Sequence, residues 1–249
     1  MQMLCSDATQ VSQQNGRENT RILKVIEDGF SMTFFLDREQ AGRLLGEVLL
    51  AREFDHPVIL ALPRGGVPVA LEIAKMLKAP LDLQFVRKIS VPGQPELAAG
   101  AVVDGNPPLI ILNDSIVNAV GIRQEYIENE ATKKLAEIAR RRSVYLADRE
   151  TINVLGRTVI LTDDGIATGA TVRAALKALR HQKPSKLILA IPVAASDTLA
   201  KIESEVDEII CLKTPHPFIA IGAHYNQFDQ LEDWQVMAMI KEADGIESE

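Results

Sequence analysis

Apolar residues along this chain fall into two spacings. Short, predominantly apolar runs occur at Val58–Leu62, Leu81–Val86, Leu109–Leu112, Val159–Leu161, Leu187–Ile191 and Glu208–Leu212, and these suit strands of a buried sheet. Between them lie segments with helical spacing: Ala41, Leu44, Leu45, Val48 and Leu49 first, then Val67–Leu77, Ile122–Asp148, Val172–Gln182 and Ser196–Ile202. Strand and helix alternate, which predicts an α/β domain, doubly wound, with a mainly parallel sheet flanked by helices and right-handed crossovers.

Punctuation sharpens the boundaries. Asp37 stands as an N-cap, with Gln40 three residues on as its capping-box partner. Met1–Thr20 is rich in Gln, Ser, Asn and Thr and is expected to be a disordered tail. That leaves a core over residues 21–213 and a C-terminal extension over 214–249. Ser90–Gly105 holds Pro92, Gly93, Pro95, Gly100 and Gly105, a poor helix or strand; a mobile loop or β-ribbon is expected, with brief pairing at Ala101–Val103. In Ile122–Asp148, Glu125 is spaced to meet Asn129 and Glu137 to meet Arg141, and Arg140–Arg142 reads as a solvated face.

Composition narrows the function classes. The chain has 249 residues, 47% of them apolar and 4% aromatic, and a formal charge of −7. The acidic balance argues against a nucleic-acid surface over the whole protein while leaving room for a local basic pocket. Cys5 and Cys211 cannot make a disulfide framework, and no apolar run reaches the ~18 residues a membrane helix needs. A cytoplasmic protein with no membrane partner is the expectation. Cys211, His216 and His224 match no zinc spacing, so no protein metal cage is expected.

The densest chemistry lies in Val159–Thr171, V-I-L-T-D-D-G-I-A-T-G-A-T. A buried strand ends in two carboxylates, a small-residue loop follows, and a helix begins, so the loop's N–H groups point at a helix N-terminus at the carboxyl edge of a parallel sheet. A Walker A loop would need Lys where Ala170 stands. A dinucleotide fingerprint would need G-x-G-x-x-G, yet Gly165 and Gly169 are four apart and the acids come before the loop. The D-x-D spacing of aspartate-phosphorylating hydrolases is missing as well. What remains is a sugar phosphate: Asp163 and Asp164 accept hydrogen bonds from a vicinal diol, and Gly165, Ile166, Ala167, Thr168, Gly169, Ala170 and Thr171 receive a terminal phosphate. An ordinary strand–turn–helix is the bland alternative. A second loop, Pro63-Arg64-Gly65-Gly66, follows the first core strand, where paired glycines admit an anion and Arg64 offers a fork of donors.

Val159–Thr171 resembles the phosphoribosyl-pyrophosphate motif of the type I phosphoribosyltransferases, and the chain order from about Phe34 to Leu212 resembles their core, most of all that of uncharacterised bacterial members. The resemblance implies transfer of 5-phosphoribosyl from phosphoribosyl pyrophosphate to a nitrogenous acceptor such as a nucleobase. Mg²⁺ would be held mainly through the ligand and water. It also implies that Arg64, Gly65 and Gly66, with Arg87 and Lys88 at the next strand end, face the pyrophosphate, and that Arg64 and Lys88 serve catalysis. Glu96, in the segment corresponding to the family's closing loop, is the candidate general acid/base, a solvated loop Glu being the alternative. The 6-oxopurine enzymes carry Asp where Ala167 stands, which speaks against hypoxanthine or guanine as acceptor.

The acceptor is expected under a hood built from Thr20–Phe35 and Thr214–Lys241. There Tyr225, Phe228 or Trp234 could stack on a base; alternatively Phe228, Leu231, Trp234 and Met237, at helical spacing, pack a helix on the core. A non-catalytic regulator binding the same ligand is the rival from another class. Oligomeric state stays open, a homodimer being common for soluble enzymes of this size.

Overall fold

The computed structural model describes residues 21–24, 34–105, 107–147 and 149–246; the expected tail 1–20 and residues 25–33 of the front hood segment lie outside them. In chain order the described elements begin β1 (Arg21–Lys24), α1 (Arg38–Leu50), β2 (Val58–Ala61), α2 (Gly66–Leu77) and β3 (Leu81–Leu83). An excursion follows: β4 (Val86–Val91), β5 (Gln94–Val103), β6 (Leu109–Leu112), α3 (Asp114–Val120) and α4 (Gln124–Leu146). The chain then runs through β7 (Thr158–Thr162), α5 (Ala170–His181), β8 (Lys186–Val193), α6 (Ser196–Ile202), β9 (Glu208–Lys213) and α7 (Asp233–Asp244).

The main sheet has the order β1-β9-β8-β7-β2-β3, every neighbouring pair parallel. Its central strands are buried along their whole length, which explains their unbroken apolar runs. Alternate residues feed two cores. Ile59, Ile160 and Ile188 join α1, α2 and α7 on one side, while Val58, Leu60, Val159 and Leu161 join α5 and α6 on the other. The expected doubly wound fold is therefore present. Asp37 caps α1 by accepting the Gln40 N–H at 2.7 Å, and the Gln40 side chain takes the Leu36 N–H at 2.6 Å, one residue ahead of the cap.

Several expectations need correction. The run Leu81–Val86 is two strands: the backbone turns at Gln84 and Phe85, where Gln84 N–H still bonds Ala61 O and Phe85 O accepts the Asp104 N–H. Apolar periodicity continues across that turn because both sides are buried. Of the two alternatives for Ser90–Gly105 the β-ribbon is the one present, its pairing running well beyond the brief Ala101–Val103 contact expected, and β4-β5-β6 make a separate antiparallel sheet wedged between α4 and α5. The single helix expected at Ile122–Asp148 is present as α4, but a short helix not expected, α3, precedes it and is closed by Gly121 at φ 69°. Arg140–Arg142 is not a uniformly solvated face, since Arg142 bonds Asp104 at 2.6 Å and reaches buried Asp82 at 3.7 Å. Arg21–Lys24 of the front hood segment extends the sheet beside β9.

Ile160 is fully buried in the strand that carries the carboxylate pair. Ile160→Ala should cost about 2–5 kcal/mol of stability, read as a lower denaturant midpoint with an unchanged slope.

Candidate functional site

From β2 the chain steps outward to β3, and after its excursion it returns on the other side of β2 as β7. The gap between β2 and β7 is thus the topological switch point, where the loops leaving two neighbouring strands diverge and leave a crevice. Register places Ala61 opposite Thr162, and Leu62 N–H donates to Thr162 O at 3.0 Å. The loops 63–66 and 163–171 therefore emerge side by side.

They touch as closely as backbone allows. A Cβ on Gly65 would lie 2.2 Å from Asp164 Oδ2, and one on Gly66 would lie 2.9 Å from both Asp163 Cα and Thr162 O. Any larger residue at either position displaces the carboxylate pair, which is the physical reason for two glycines here. The Pro63–Arg64 peptide is cis.

Asp163 Oδ1 accepts the Asp164 N–H at 2.9 Å. Asp164 is buried, and its Oδ2 accepts from Arg38 Nε at 2.8 Å. Burial raises both carboxyls above the ordinary range; the neighbouring Asp164 charge raises Asp163 further, while Arg38 pulls Asp164 back down. Arg38 also lies over the Phe228 ring, 3.8 Å from its centroid, and donates to Asp229 O at 3.0 Å. Tyr225 donates its hydroxyl to Asp164 O at 2.5 Å; burial and the Asp164 charge push that phenol up. One arginine and one tyrosine thus tie the carboxylate pair to the C-terminal segment.

The rest of the loop is braced from β8 and α6. Ile166 N–H donates to Val193 O and Ile166 O accepts from Ala195 N–H, so the Ile166 amide is already used. Thr198 donates its hydroxyl to Ala167 O at 2.6 Å. Gly169 has φ 74°, and a Cβ there would lie 2.6 Å from Thr198 Cγ2, so two independent constraints demand glycine. The first-turn amides of α5 have no intrahelical acceptors, and Thr168 and Thr171 are exposed beside them, an anion-ready cradle.

An open cavity of about 600 Å³ joins these parts: Arg38, Arg64, Gly65, Asp164 and Ala167 on one side, and Ile219, Ile221, Phe228 and Leu231 of the C-terminal segment on the other. Ile221 also sits on the loop, since a Cβ at Gly165 would lie 2.6 Å from its Cγ2. Other candidates stand apart from it. Arg87 is on the ribbon, its guanidinium bonded to Glu137 at 2.8 Å and Val86 O at 2.9 Å. Lys88 lines a second cavity of about 360 Å³ with Thr171 and Lys177, reaching the site only from the α5 side. Glu96 lies on β5 near the ribbon's turn.

A helix does occur in the hood, as the spacing suggested, but it starts at Asp233 and buries Val236, Ile240 and Ala243. Trp234 and Met237 are 68% and 45% exposed, so the expected apolar stripe is not its packing face. Phe228 instead stacks on Tyr225 at a centroid distance of 5.0 Å, and Tyr225 meets Phe35 at 5.3 Å. Sequence reasoning missed Arg38 and the part Tyr225 plays. A signal for Arg38 existed: a cation in the first turn of α1 opposes the helix dipole.

Residues 37–227 match the phosphoribosyl transferase domain. Two Mycobacterium tuberculosis proteins, each named "Putative phosphoribosyl transferase" (Rv0571c in strain H37Rv and MT0597 in strain CDC 1551), are 42% identical over 212 residues, 85% of this chain and 47% of theirs. The chain thus spans about half the length of the curated relatives it matches. The crystal structure of TT1426 from Thermus thermophilus superposes with a TM-score of 0.75 at 37% identity, covering 84% of this chain and 98% of that one. The chain belongs to the phosphoribosyl transferase domain family. Among the described residues no helix is long and apolar enough to cross a membrane.

A carboxyl raised on folding binds its proton more tightly in the native state, so its contribution to stability falls as pH rises from the ordinary carboxylate range through the raised value. Asp163→Asn keeps the acceptor for the Asp164 N–H and removes that penalty. The variant should be more stable than the parent at neutral pH, with the difference closing toward about pH 4, as read by denaturant midpoints across that range.

Proposed function

We propose that the switch-point site binds phosphoribosyl pyrophosphate with Mg²⁺ and transfers its 5-phosphoribosyl group to a nitrogenous acceptor, a nucleobase or similar planar heterocycle, releasing pyrophosphate. The observation that carries this reading is the interlock of Gly65 and Gly66 with the Asp163–Asp164 pair. It sets a carboxylate pair, a helix N-terminus and an arginine-bearing glycine loop around one crevice, which suits the three parts of that donor.

In this reading Asp163 and Asp164 hold the ribose hydroxyls, and the amides and hydroxyls of Thr168–Thr171 hold the 5-phosphate. The C1–O bond breaks as a C1–N bond forms. The charge arriving on the leaving pyrophosphate is met by Arg64 and by the Gly65 amide, Gly66 giving close approach while its own N–H is bonded to Leu62 O, with Lys88 as a further cation from the ribbon. Glu96, on the same ribbon, is the carboxylate proposed to take the proton the acceptor loses, and closure of the ribbon would keep water from the reacting centre.

A hard divalent ion suits this crevice, where the Asp163 and Asp164 carboxylates present oxygen donors. Mg²⁺ would then take most of its ligands from the donor and from water and offset the pyrophosphate charge. Residues 21–213 form the core of this enzyme and 214–249 its hood. The apolar wall of Ile219, Ile221, Phe228 and Leu231 suits a flat ring. Ala167 provides no carboxylate for a 6-oxopurine. We propose a cytoplasmic enzyme with no nucleic-acid or membrane partner, a homodimer being the common assembly for soluble enzymes of this size.

Incubation with labelled phosphoribosyl pyrophosphate, Mg²⁺ and a panel of bases should release pyrophosphate only with the matching acceptor. Tight donor binding without turnover on any acceptor would favour a ligand-sensing regulator. Replacing both Asp163 and Asp164 by Asn should weaken donor binding about a hundredfold, the loss of two charged hydrogen bonds; unaltered affinity would sink the diol assignment.

A further inference from the structure

Arg64 carries five N–H donors on a flexible stem, and a side chain of this kind loses conformational freedom when it grips an anion. One of its nitrogens already has a partner. Arg64 Nη1 lies 3.5 Å from Asp233 Oδ1, and the same oxygen accepts the Tyr145 hydroxyl at 2.5 Å. Asp233 opens α7, in the C-terminal segment, and is 58% exposed on its side chain. Tyr145 belongs to the last turn of α4, is only 4% exposed, and stacks on Phe85 at a centroid distance of 6.2 Å.

The arrangement has a direction. A tyrosine fixed in the core holds a surface carboxylate by a short hydrogen bond, and that carboxylate reaches the guanidinium of a loop residue lining the large cavity. Its contact with Arg64 is long and partly exposed, so as an ion pair it adds little to stability. It does restrict where the guanidinium swings. With Nη1 held from the α7 side, the remaining donors of Arg64 are left for an anion in the cavity.

We propose that Asp233, anchored by Tyr145, is a positioning residue for Arg64 that preorganises it toward the pyrophosphate end of the donor. The inference rests on the donor reading given above. It concerns residues outside both loops: Asp233 lies 169 positions from Arg64 and Tyr145 lies 88 from Asp233. It also gives α7 a part in the site that does not depend on contact with the acceptor.

Two probes separate this role from general damage to the fold. Binding of pyrophosphate with Mg²⁺ and of ribose 5-phosphate is measured calorimetrically on the full chain. Asp233→Ala should weaken pyrophosphate binding about tenfold, the cost of ordering one long side chain, and leave ribose 5-phosphate within twofold. Tyr145→Phe, which removes only the anchoring hydroxyl, should act in the same direction and less strongly. In an Arg64→Ala background the Asp233 substitution should have no further effect. Equal weakening of both probes, an additive loss in the Arg64→Ala background, or unchanged pyrophosphate binding in Asp233→Ala while Arg64→Ala weakens it would each overturn the proposal. Unchanged pyrophosphate binding in Arg64→Ala would instead remove the pyrophosphate loop from the donor reading itself.

Discussion

The close approach of the 63–66 backbone to the Asp163–Asp164 pair is the constraint on which the rest of this site depends. It follows from the sheet: β2 and β7 are neighbours in register, so the chain leaving each must pass the other within van der Waals distance. Glycine at 65 and 66 resolves the conflict, and at 65 it leaves backbone facing the cavity. The same crowding buries the carboxylates and raises both above their ordinary range, an electrostatic cost that a purely structural turn would avoid.

That cost is partly offset by Arg38 of α1, which the C-terminal segment holds in place. Arg38 balances Asp164 while lying on Phe228, and Tyr225 holds the Asp164 carbonyl. Residues 126 and 61 positions away from Asp164 thus share its environment, which couples α1 and the C-terminal segment to the carboxylate pair. The cavity of about 600 Å³ is lined by both, and a change in how Phe228 or Arg38 sits reaches Asp164 directly. Arg64, tethered toward Asp233 and Tyr145, completes the ring around the crevice.

Much of this was legible in the sequence because its determinants are local. Continuous apolar runs marked strands buried twice, Asp37 marked the start of α1, and the order strand, acids, small loop, helix in Val159–Thr171 carried both the fold and the family. The break between β3 and β4 was not legible, because Leu83, Phe85 and Val86 are buried on both sides of the turn and their pattern does not change. Arg142 looked like one of a solvated trio because its partners, Asp82 and Asp104, lie 60 and 38 positions upstream. Arg38 and Tyr225 escaped for the same reason: only tertiary contact gives them meaning. Trp234 misled in the opposite sense, since a large apolar residue at helical spacing was expected to be buried and stands in the open.

The central claim is that two loops from neighbouring strand ends form a single donor site whose geometry tolerates no side chain at position 65. Calorimetric titration of phosphoribosyl pyrophosphate with Mg²⁺ into the parent chain and into Gly65→Ala tests it most directly. A Cβ 2.2 Å from Asp164 Oδ2 must displace that carboxylate, so the variant should keep its cooperative unfolding transition and bind the donor about ten- to a hundredfold more weakly. Donor affinity in Gly65→Ala equal to that of the parent would contradict the account.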